Sequence, residues 1–540
     1  MQDFRPRDTW TSRIGVILAV TGSAVGLGNF LRFPGLAAKY GGGAFMVAYL
    51  CAFLLLGLPI AFAEWSMGRY GGRHGFNSSP GIYRLVWKNR IAPYFGILAM
   101  IVPVCIYMYY VYIEAWCLAY AARYLFGAMD FGADPTGYER FFSHFVGIHA
   151  HGESLSTPGE GLLGSAVFFL ILCFVLNFTL IYRGLSKGIE WFCRWAMPAL
   201  IVCAFLVLIR VLTLGTPDPA KPDQNILNGL GYMWNPVKPG TTFWEELANA
   251  EMWMAAAGQI FFSLSVGFGI IITYASYVKK DDDIALSSLT ACAGNEFCEV
   301  ALGGLITVPA AFVFLGPQVV QNPPGTFGLG FMALPHVFSQ MPLGNLVGFL
   351  FFFLLFLAAV TSSLSMLQPA VAFLEVGLGL NRKASVALLG FITALGSTGV
   401  VFFSKDLIAL DTLDFWIGTF CLYALAAFQT VLFGWVLGAK KGMDELRRGA
   451  EIHIPEVFRY VIQFITPVYL FVVFGFWLRQ NIFVATADGQ PNRLEQLVTD
   501  PVVAAVMIFV AAVAVLFGLF IAQAVRNWRQ AELEREEVAI

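Results

Sequence analysis

The stretch GSAVGLGNFLRFP, residues 22–34, interrupts the first long apolar segment of the chain with three glycines and an asparagine. A second stretch, SLSVGFG at residues 263–269, interrupts the sixth such segment. In a bilayer, non-helical backbone is tolerated only where it lines a cavity or is buried in protein. The alternative is that the glycines let neighbouring helices pack closely. Two interruptions at corresponding positions, with Asn29 and two serines beside them, favour a transporter binding site.

The composition requires a bilayer around these segments. Of 540 residues, 58% are hydrophobic and 13% are charged, whereas a soluble domain has roughly 25% charged residues. The mean hydropathy is +0.71. A net charge of −2 leaves no basic surface for nucleic acid. We therefore expect an integral membrane protein and exclude a soluble enzyme, a disordered chain and a nucleic-acid binder.

About twelve segments reach the length of roughly 20 apolar residues that a spanning helix needs. We number them spans 1 to 12, with approximate ranges 12–39, 43–70, 91–126, 163–184, 189–213, 243–277, 284–316, 344–379, 384–404, 411–438, 457–483 and 499–526. Such long continuous runs predict an all-α polytopic membrane protein and not a β-barrel. The nine cysteines all lie in apolar stretches, so we expect no disulfide framework.

The breaks in spans 1 and 6 fall at corresponding positions if spans 1–5 and spans 6–10 are two repeats. The predicted organisation is an N-terminal cytoplasmic segment 1–11, a first repeat 12–213, an extracellular connection 214–242, a second repeat 243–438, spans 11 and 12 within 439–526, and a cytoplasmic tail 527–540. Spans 11 and 12 lie outside the repeat, so we expect them to serve packing or formation of a homodimer.

Basic residues indicate which side of the membrane each loop faces. The short loops after spans 2, 6 and 10 carry lysine and arginine, whereas the long loop 127–162 carries five acidic residues and one arginine. This bias places that loop outside and both termini in the cytoplasm, which requires an even number of spans. The outer loop has neither a cysteine nor a glycosylation sequon, which favours a prokaryotic inner membrane.

Polar side chains recur inside the apolar spans, where an unpaired charge is costly and therefore indicates function. The charged residues in or near the spans are Arg32, Glu64, Glu114, Glu299, Asp411 and Asp414. Span 8 adds three hydroxyl oxygens at residues 361–363, although hydroxyls in helices also bond back to their own backbone. Freed carbonyls at a helix break can ligate a cation, and freed amides can hold a carboxylate.

Longer motifs extend through most of the chain. They are GSAVGLGNFLRFP at 22–34, GGGAF at 41–45, EWSMGR at 64–69, YYVYIE at 109–114, GQIFFSLS at 258–265, ITYASY at 272–277, NE at 295–296, TSS at 361–363 and DFW at 414–416. In these motifs the chain resembles the neurotransmitter:sodium symporter family, and closely its bacterial amino-acid transporters of the leucine-transporter fold. The resemblance runs from span 1 to span 11, and it implies two inverted repeats of five spans each, with spans 1 and 6 broken.

The resemblance implies two bound sodium ions. The first would be held by the Ala24 carbonyl, Asn29, the hydroxyl and carbonyl of Ser263, Asn295 and the substrate's own carboxylate. The second would be held by the carbonyls of Gly22, Val25 and Ala358 and the hydroxyls of Thr361 and Ser362. A hard cation suits these oxygen ligands. Ser263 replaces the threonine of the best-studied bacterial members and keeps the hydroxyl, so we expect coordination to survive.

The resemblance also implies an amino-acid site between the two breaks. The carboxylate would rest on the amides near Gly26 and Leu27 and on the Tyr110 hydroxyl, while the ammonium would meet Ala24, Phe262, Ser263 and Ser265. The side chain would be surrounded by Ile106, Phe262, Ser265, Phe268, Ser362 and Met366. None of these is charged, so a charged substrate side chain would go unpaired. We expect a neutral amino acid of small to medium apolar side chain, such as alanine, glycine, valine or leucine.

Two gates follow from the same resemblance. The outer gate would be Arg32 with Asp414, and Tyr110 and Phe262 would close beneath it. The inner gate would join Arg7 to an aspartate in span 8, capped by Trp10 and Tyr277. At that aspartate position this chain has Val376, with Glu375 one residue earlier. One residue turns a side chain about 100° around a helix, so either Glu375 reaches across or the inner latch is weaker.

Transport is expected not to need chloride. Animal members place a chloride near the first sodium, next to residues matched here by Tyr49, Gln259, Ser263 and Asn295. The remaining position, a serine in chloride-dependent members, is Glu299 in this chain. A carboxylate there supplies the negative charge covalently and would repel an anion. The alternative is a structural glutamate that is paired with a cation or held neutral.

A sodium-coupled symporter is therefore the expected function, and three others were weighed against it. A proton-coupled transporter of the same fold would use Glu64 or Glu299, but a proton needs no cage of oxygen ligands such as Asn29, Thr361 and Ser362. A receptor or channel could retain the fold without transport. A membrane enzyme has no support, since the sequence contains no HExxH motif, nucleophile elbow or Cys/His pair.

Overall fold

A computed structural model describes residues 9–132, 134–155, 161–235, 240–317, 325–483 and 491–539, and every regular element within them is a helix. Nine of these described helices are long and apolar enough to cross a membrane: Gly43–Arg73, Ala92–Leu125, Leu185–Leu212, Ile284–Leu315, Gly344–Leu378, Arg382–Phe402, Lys405–Arg447, Val457–Phe483 and Pro501–Leu533. They correspond to predicted spans 2, 3, 5 and 7 to 12. The prediction of an all-α polytopic membrane protein is confirmed.

The three other predicted spans are shorter or broken. Span 1 consists of helix 1a, Arg13–Ala24, and helix 1b, Gly28–Lys39, which meet at an angle of 49°. Span 4 is the 17-residue apolar helix Ala166–Tyr182. Span 6 consists of helix 6a, Ala250–Leu264, and helix 6b, Ile270–Ala275. The structure therefore breaks spans 1 and 6 at the two glycine-rich stretches that the sequence marks.

Two helices continue past their predicted ends. Span 10 was expected to end near residue 438, but the helical segment runs on to Arg447 because Ala439–Arg447 adds a further helix. Span 12 continues to Ala539 because no glycine or proline occurs between residues 527 and 539 to end it. Shorter helices outside the predicted spans include Ser79–Val86, Pro135–Val146, Ile226–Trp234, Leu334–Ser339 and Arg493–Thr499, and Phe243–Leu247 occupies the start of predicted span 6.

The break in span 6 contains three residues with left-handed backbone, at alternate positions. Ser265, Gly267 and Gly269 have φ of 53°, 78° and 78°. Glycine adopts this region without the steric cost of a Cβ. A Cβ on Gly269 would also lie 2.9 Å from the Cβ of Ala99 in span 3, so the break packs directly against that span. Nearby, the amide of Gly267 donates to the buried Glu64 carboxylate at 3.3 Å, which gives one freed backbone group a partner.

Span 8 is the centre against which the broken helices pack. Spans 3 and 5 and helix 1a lie against it, while helix 6b packs on span 2 and helix 1a also contacts span 7. The division into two inverted repeats and the direction of the termini stay predictions. The packing itself brings the breaks of spans 1 and 6 to the polar segment of span 8.

Candidate functional site

The breaks of spans 1 and 6 meet at one carbonyl. The Ser265 hydroxyl of span 6 donates to the Ser23 carbonyl at 2.8 Å, and the Ser362 hydroxyl of span 8 donates to the same oxygen at 3.2 Å. The Ser23 hydroxyl in turn donates to Ser365 at 2.7 Å. Three spans are thus joined by hydrogen bonds at the end of helix 1a, and all of these serines are buried.

The residues predicted for the second sodium surround this junction. The Ser362 hydroxyl lies 3.5 Å from the Gly22 carbonyl, and the Thr361 hydroxyl donates to the Ala358 carbonyl at 3.0 Å. Gly22 packs directly on Thr361, since a Cβ on Gly22 would lie 3.1 Å from the Thr361 Cβ. Val25 ends helix 1a, where the last carbonyls lack intrahelical donors. The structure brings these oxygens together without a charged residue among them.

The residues predicted for the first sodium form a second cluster. The Asn29 amide donates to the Asn295 carbonyl oxygen at 2.8 Å, and the Asn295 amide donates to the Ser263 hydroxyl at 2.6 Å. The carbonyl oxygen of Asn29 accepts from the Gly26 amide at 2.8 Å, which holds the break of span 1. Ala24 is buried at the end of helix 1a. Spans 1, 6 and 7 are therefore linked through side-chain amides and one hydroxyl.

Glu299 lies beside this second cluster and is fully buried. Its carboxylate accepts hydrogen bonds from Gln259 and Ser263, from Tyr49 at 2.8 Å and from Asn295 at 3.3 Å. In the described part of the chain, no lysine, arginine or histidine lies within ion-pair distance of it. Four neutral donors therefore surround the carboxylate. The Tyr49 hydroxyl also lies 2.8 Å from Glu296.

The predicted amino-acid pocket begins at the bend of span 1. The Leu27 amide donates to the Tyr110 hydroxyl at 3.4 Å. Gly26 faces both this hydroxyl and Ser362, since a Cβ there would lie 3.0 Å from the first and 3.3 Å from the second. Phe262 and Phe268 meet edge to face, with ring centroids 5.9 Å apart. Ile106 and Met366 are buried in spans 3 and 8.

The outer-gate residues lie close together without a direct ion pair. The Arg32 guanidinium carbon lies 4.6 Å from the centroid of the Phe262 ring, while Asp414 accepts from the Tyr109 hydroxyl at 2.7 Å. The described residues contain no contact within 4.0 Å between Arg32 and Asp414. Arg32 therefore stacks on an aromatic face, an arrangement that stabilises a cation.

The inner-gate residues are more deeply buried. Trp10 and Tyr277 are 6% and 7% exposed, and the Trp10 indole donates to the Tyr274 carbonyl at 3.0 Å. Glu375 forms an ion pair of 3.3 Å with Arg382, at the end of its own helix. Arg7 lies outside the described residues, so its predicted pairing with span 8 stays a prediction.

Three sets of contacts were not expected from the sequence. They are the donation from Tyr109 to Asp414, the ion pair between Arg493 and Asp411, and the hydrogen bonds of Thr11 and Ser12 to Glu190. Tyr109 lies inside the YYVYIE motif, so the sequence did mark it as a candidate functional residue. Arg493 and Glu190 lie in segments without a recognised motif, and their partners are distant in sequence, so no sequence pattern indicated them.

Comparison with known proteins shows the family of this chain. The sequence model of the sodium:neurotransmitter symporter family matches residues 7–132 and 137–526. The chain belongs to this family. Members of the family are transporters and not enzymes, so this chain is a sodium-dependent membrane transporter of a small-molecule substrate.

Relatives of this chain come from archaea, bacteria and animals. An uncharacterized sodium-dependent transporter of Methanocaldococcus jannaschii is 28% identical over 482 residues, 87% of this chain and 90% of the relative. The sodium- and chloride-dependent GABA transporter 2 of Rattus norvegicus is 24% identical over 508 residues, 87% of this chain and 80% of the relative. The crystal structure of MhsT in complex with L-phenylalanine superimposes with a TM-score of 0.72 at 28% identity, covering 87% of this chain and 99% of that one.

The space at Gly26 yields a test of the pocket. A methyl group at Gly26 would press on Tyr110 and Ser362, whereas the nearest atom to a methyl group at Gly28 is 3.6 Å away. Overpacking of a tight site costs about 1–3 kcal/mol, and each 1.4 kcal/mol is about tenfold in affinity. Gly26→Ala should therefore raise the substrate concentration for half-maximal uptake about tenfold or more, and Gly28→Ala should leave it near the wild-type value. Uptake into proteoliposomes at matched protein density is the measurement, and equal behaviour of the two variants would contradict the assignment.

Proposed function

We propose that the chain is a symporter that imports a neutral amino acid of small to medium apolar side chain together with two sodium ions, by alternating access and without chloride. The observation that carries the proposal is the meeting of two broken helices with the hydroxyls of span 8, where the Ser362 hydroxyl lies 3.5 Å from the Gly22 carbonyl. Discontinuous helices near the bilayer midplane are the usual place of substrate and ion binding in secondary transporters.

The donor sets support sodium as the coupling ion. Around Gly22 and Ser362, carbonyl and hydroxyl oxygens lie close together with no carboxylate among them. Around Asn29 and Ser263 the donors are amide and hydroxyl groups, with the Glu299 carboxylate beside them. Oxygen ligands of this kind suit a hard cation. They do not suit a proton, which binds a titratable group, so the proton-coupled alternative would have to work through Glu64 or Glu299.

The pocket supports an apolar amino acid as the solute. The Leu27 amide and the Tyr110 hydroxyl can hold a carboxylate, and the first sodium would add a positive charge beside it. The proposed side-chain lining contains no charged residue, so arginine or glutamate would bury an unpaired charge. MhsT binds L-phenylalanine, which supports an amino acid in this fold. Phe262 lies at the mouth of the pocket beneath Arg32, where it can close over the solute.

Alternating access would use the gates on the two faces. Arg32, Phe262 and Asp414 are half-buried, whereas Trp10 and Tyr277 on the other side are buried. Closure of the outer gate would bring Arg32 from the Phe262 ring to Asp414. We place the protein in a prokaryotic inner membrane with both termini in the cytoplasm, and a homodimer through spans 11 and 12 stays a prediction.

Sodium dependence is the first test. Two sodium ions moving inward with a zwitterion gain about 2.3 kcal/mol per charge per 100 mV. That alone supports accumulation of about a thousandfold, since each 1.4 kcal/mol is tenfold. Uptake of labelled amino acids into proteoliposomes should require an inward sodium gradient and should be electrogenic. Asn29→Leu and Thr361→Val should each raise the sodium concentration for half-maximal uptake steeply. Unchanged sodium dependence in both variants would exclude these residues as ligands.

Substrate choice is tested by competition. Each of the twenty amino acids is added in excess to the labelled solute, and alanine, glycine, valine and leucine should compete best because the proposed lining is apolar. Monoamines and γ-aminobutyrate are included as controls for the animal branch of the family. Strongest inhibition by arginine, glutamate or a monoamine would refute the proposed pocket, even if uptake remains sodium-dependent.

The position of the Glu299 carboxylate supports the proposal that transport does not need chloride. Its carboxylate accepts from Ser263, Asn295, Gln259 and Tyr49, the residues expected around a chloride in animal members. A fixed negative charge there would repel a second anion within a few Å. It would also balance the first sodium, and it could take up a proton when the sodium has left, so that protons move outward on the return step.

Replacement of that carboxylate should create a chloride requirement. Wild-type uptake should be equal in chloride and gluconate media, whereas Glu299→Ser should lose most uptake in gluconate and regain it in chloride. Ser288→Ala, a buried hydroxyl of the same span, serves as the control and should remain indifferent to the anion. Wild-type uptake that collapses in gluconate would overturn the argument, as would a Glu299→Ser variant that ignores the anion.

A further inference from the structure

Glu190, at the start of span 5, holds the first residues of the chain's broken helix. Its side chain is 1% exposed. The carboxylate accepts from the Thr11 amide at 2.8 Å, from the Thr11 hydroxyl, and from the Ser12 hydroxyl at 3.0 Å. Arg194 lies 3.2 Å away and is the one described cation within ion-pair distance. Hydrogen bonds to a charged group are about twice as strong as neutral ones, so this is a strong anchor.

The anchor sits on the N-terminus of helix 1a. The Ser12 hydroxyl that donates to Glu190 also accepts from the Gly15 amide at 3.0 Å, and so caps the helix. A carboxylate at this end is favoured by the exposed amides and the helix dipole. Gly15 makes the approach possible, because a Cβ on residue 15 would lie 2.0 Å from the Glu190 Oε1 atom. Helix 1a and span 5 are therefore docked through one carboxylate.

Helix 1a transmits this position to the proposed second sodium site. It is a continuous helix of 12 residues, about 18 Å long. Thr11 and the N-cap Ser12, immediately before its first turn, bind Glu190, and its last turn carries the Gly22 carbonyl that lies near Ser362. Trp10, immediately before Thr11, donates to the Tyr274 carbonyl of helix 6b. A shift of the anchored end would therefore move the sodium ligands at the other end.

We infer that Glu190 is a positioning residue for sodium binding, which holds helix 1a in the closed arrangement that the second sodium site needs. The inference rests on the proposed function through that site. Coupling between two sites is reciprocal, so sodium at Gly22 stabilises the anchor, and loss of the anchor weakens sodium.

A second acidic contact on the same helix offers a matched control. Arg13 forms ion pairs with Asp283 at 3.3 Å and with Glu451 at 3.2 Å. The Glu451 side chain is 68% exposed, and exposed ion pairs contribute little to stability. Glu451→Gln removes a carboxylate near the same end of helix 1a without touching the buried anchor.

Cys292 offers a reporter that does not depend on transport. It is 5% exposed, and it lines a small cavity together with Val20 and Ala24 of helix 1a. Movement of helix 1a away from span 7 would admit water to this thiol. The experiment uses the full chain in proteoliposomes with Cys292 as its single cysteine, and it measures alkylation by a water-soluble maleimide across a series of sodium concentrations. Sodium should slow alkylation of the wild type.

Glu190→Gln should raise the half-protecting sodium concentration about five- to tenfold, because a charged hydrogen-bond acceptor is lost. Gly15→Ala should do the same by displacing the carboxylate, and it covers the case in which Glu190→Gln folds poorly. Glu451→Gln should match the wild type. Wild-type protection curves for both Glu190→Gln and Gly15→Ala would overturn the inference.

Two further outcomes separate the inference from the proposed function. If sodium fails to protect even the wild type, and uptake needs no sodium, the second sodium site is wrong and the inference falls with it. If uptake is sodium-driven and Glu190→Gln is alkylated faster at every sodium concentration without a change in the half-protecting value, Glu190 only stabilises the fold. That result overturns the positioning role and leaves the proposed function intact.

Discussion

The rest of this structure depends on one constraint: inside a bilayer, every backbone donor and acceptor needs a partner within the protein. Regular helices meet it by themselves, and most spans are of that kind. Spans 1 and 6 do not, because glycine-rich stretches end helices 1a and 6a in the middle of the protein. The freed groups are taken up by other spans, as when Gly267 donates to Glu64 and when Ser265 and Ser362 donate to the Ser23 carbonyl. One of these partners, Ser362, is also proposed to bind sodium, and another, Ser265, is proposed to line the substrate pocket.

The two oxygen-rich clusters differ in how their charge is balanced. Around Gly22 and Thr361 all donors and acceptors are neutral. Around Asn295 the donors converge on the Glu299 carboxylate, with no described cation at ion-pair distance. A cation next to Glu299 would meet a full negative charge, whereas a cation at Gly22 would meet only dipoles. One sodium ion would thus be held by a charge and the other by dipoles, so the two ions could leave their sites at different rates.

Helix 1a connects these clusters with the N-terminal residues Thr11 and Ser12 and with span 5. It is short and rigid, and both ends are held by polar contacts: Ser12 and Thr11 on Glu190, and Gly22 and Ser23 near Ser362. The hydrogen bonds at the two ends of helix 1a can be exchanged for bonds to water or to an ion. Span 8, which packs along span 3, supplies the surface against which the Gly22 end of helix 1a lies.

The sequence by itself determined the spans, the two breaks and the family, because each is written in local order. Hydropathy over about 20 residues marks a spanning helix, and motifs such as GSAVGLGNFLRFP carry their meaning wherever they stand. It also named the residues that are proposed as ligands, since Asn29, Ser263, Asn295 and Ser362 lie inside those motifs. Only the tertiary structure decided the partners of the charged residues. Arg32 lies over Phe262 rather than against Asp414, Glu375 pairs with Arg382, and Glu190 meets Thr11 across 179 residues of sequence. The physical reason is that a long charged side chain can reach several neighbours, and which neighbour it meets depends on how whole helices pack, a property that no local pattern contains.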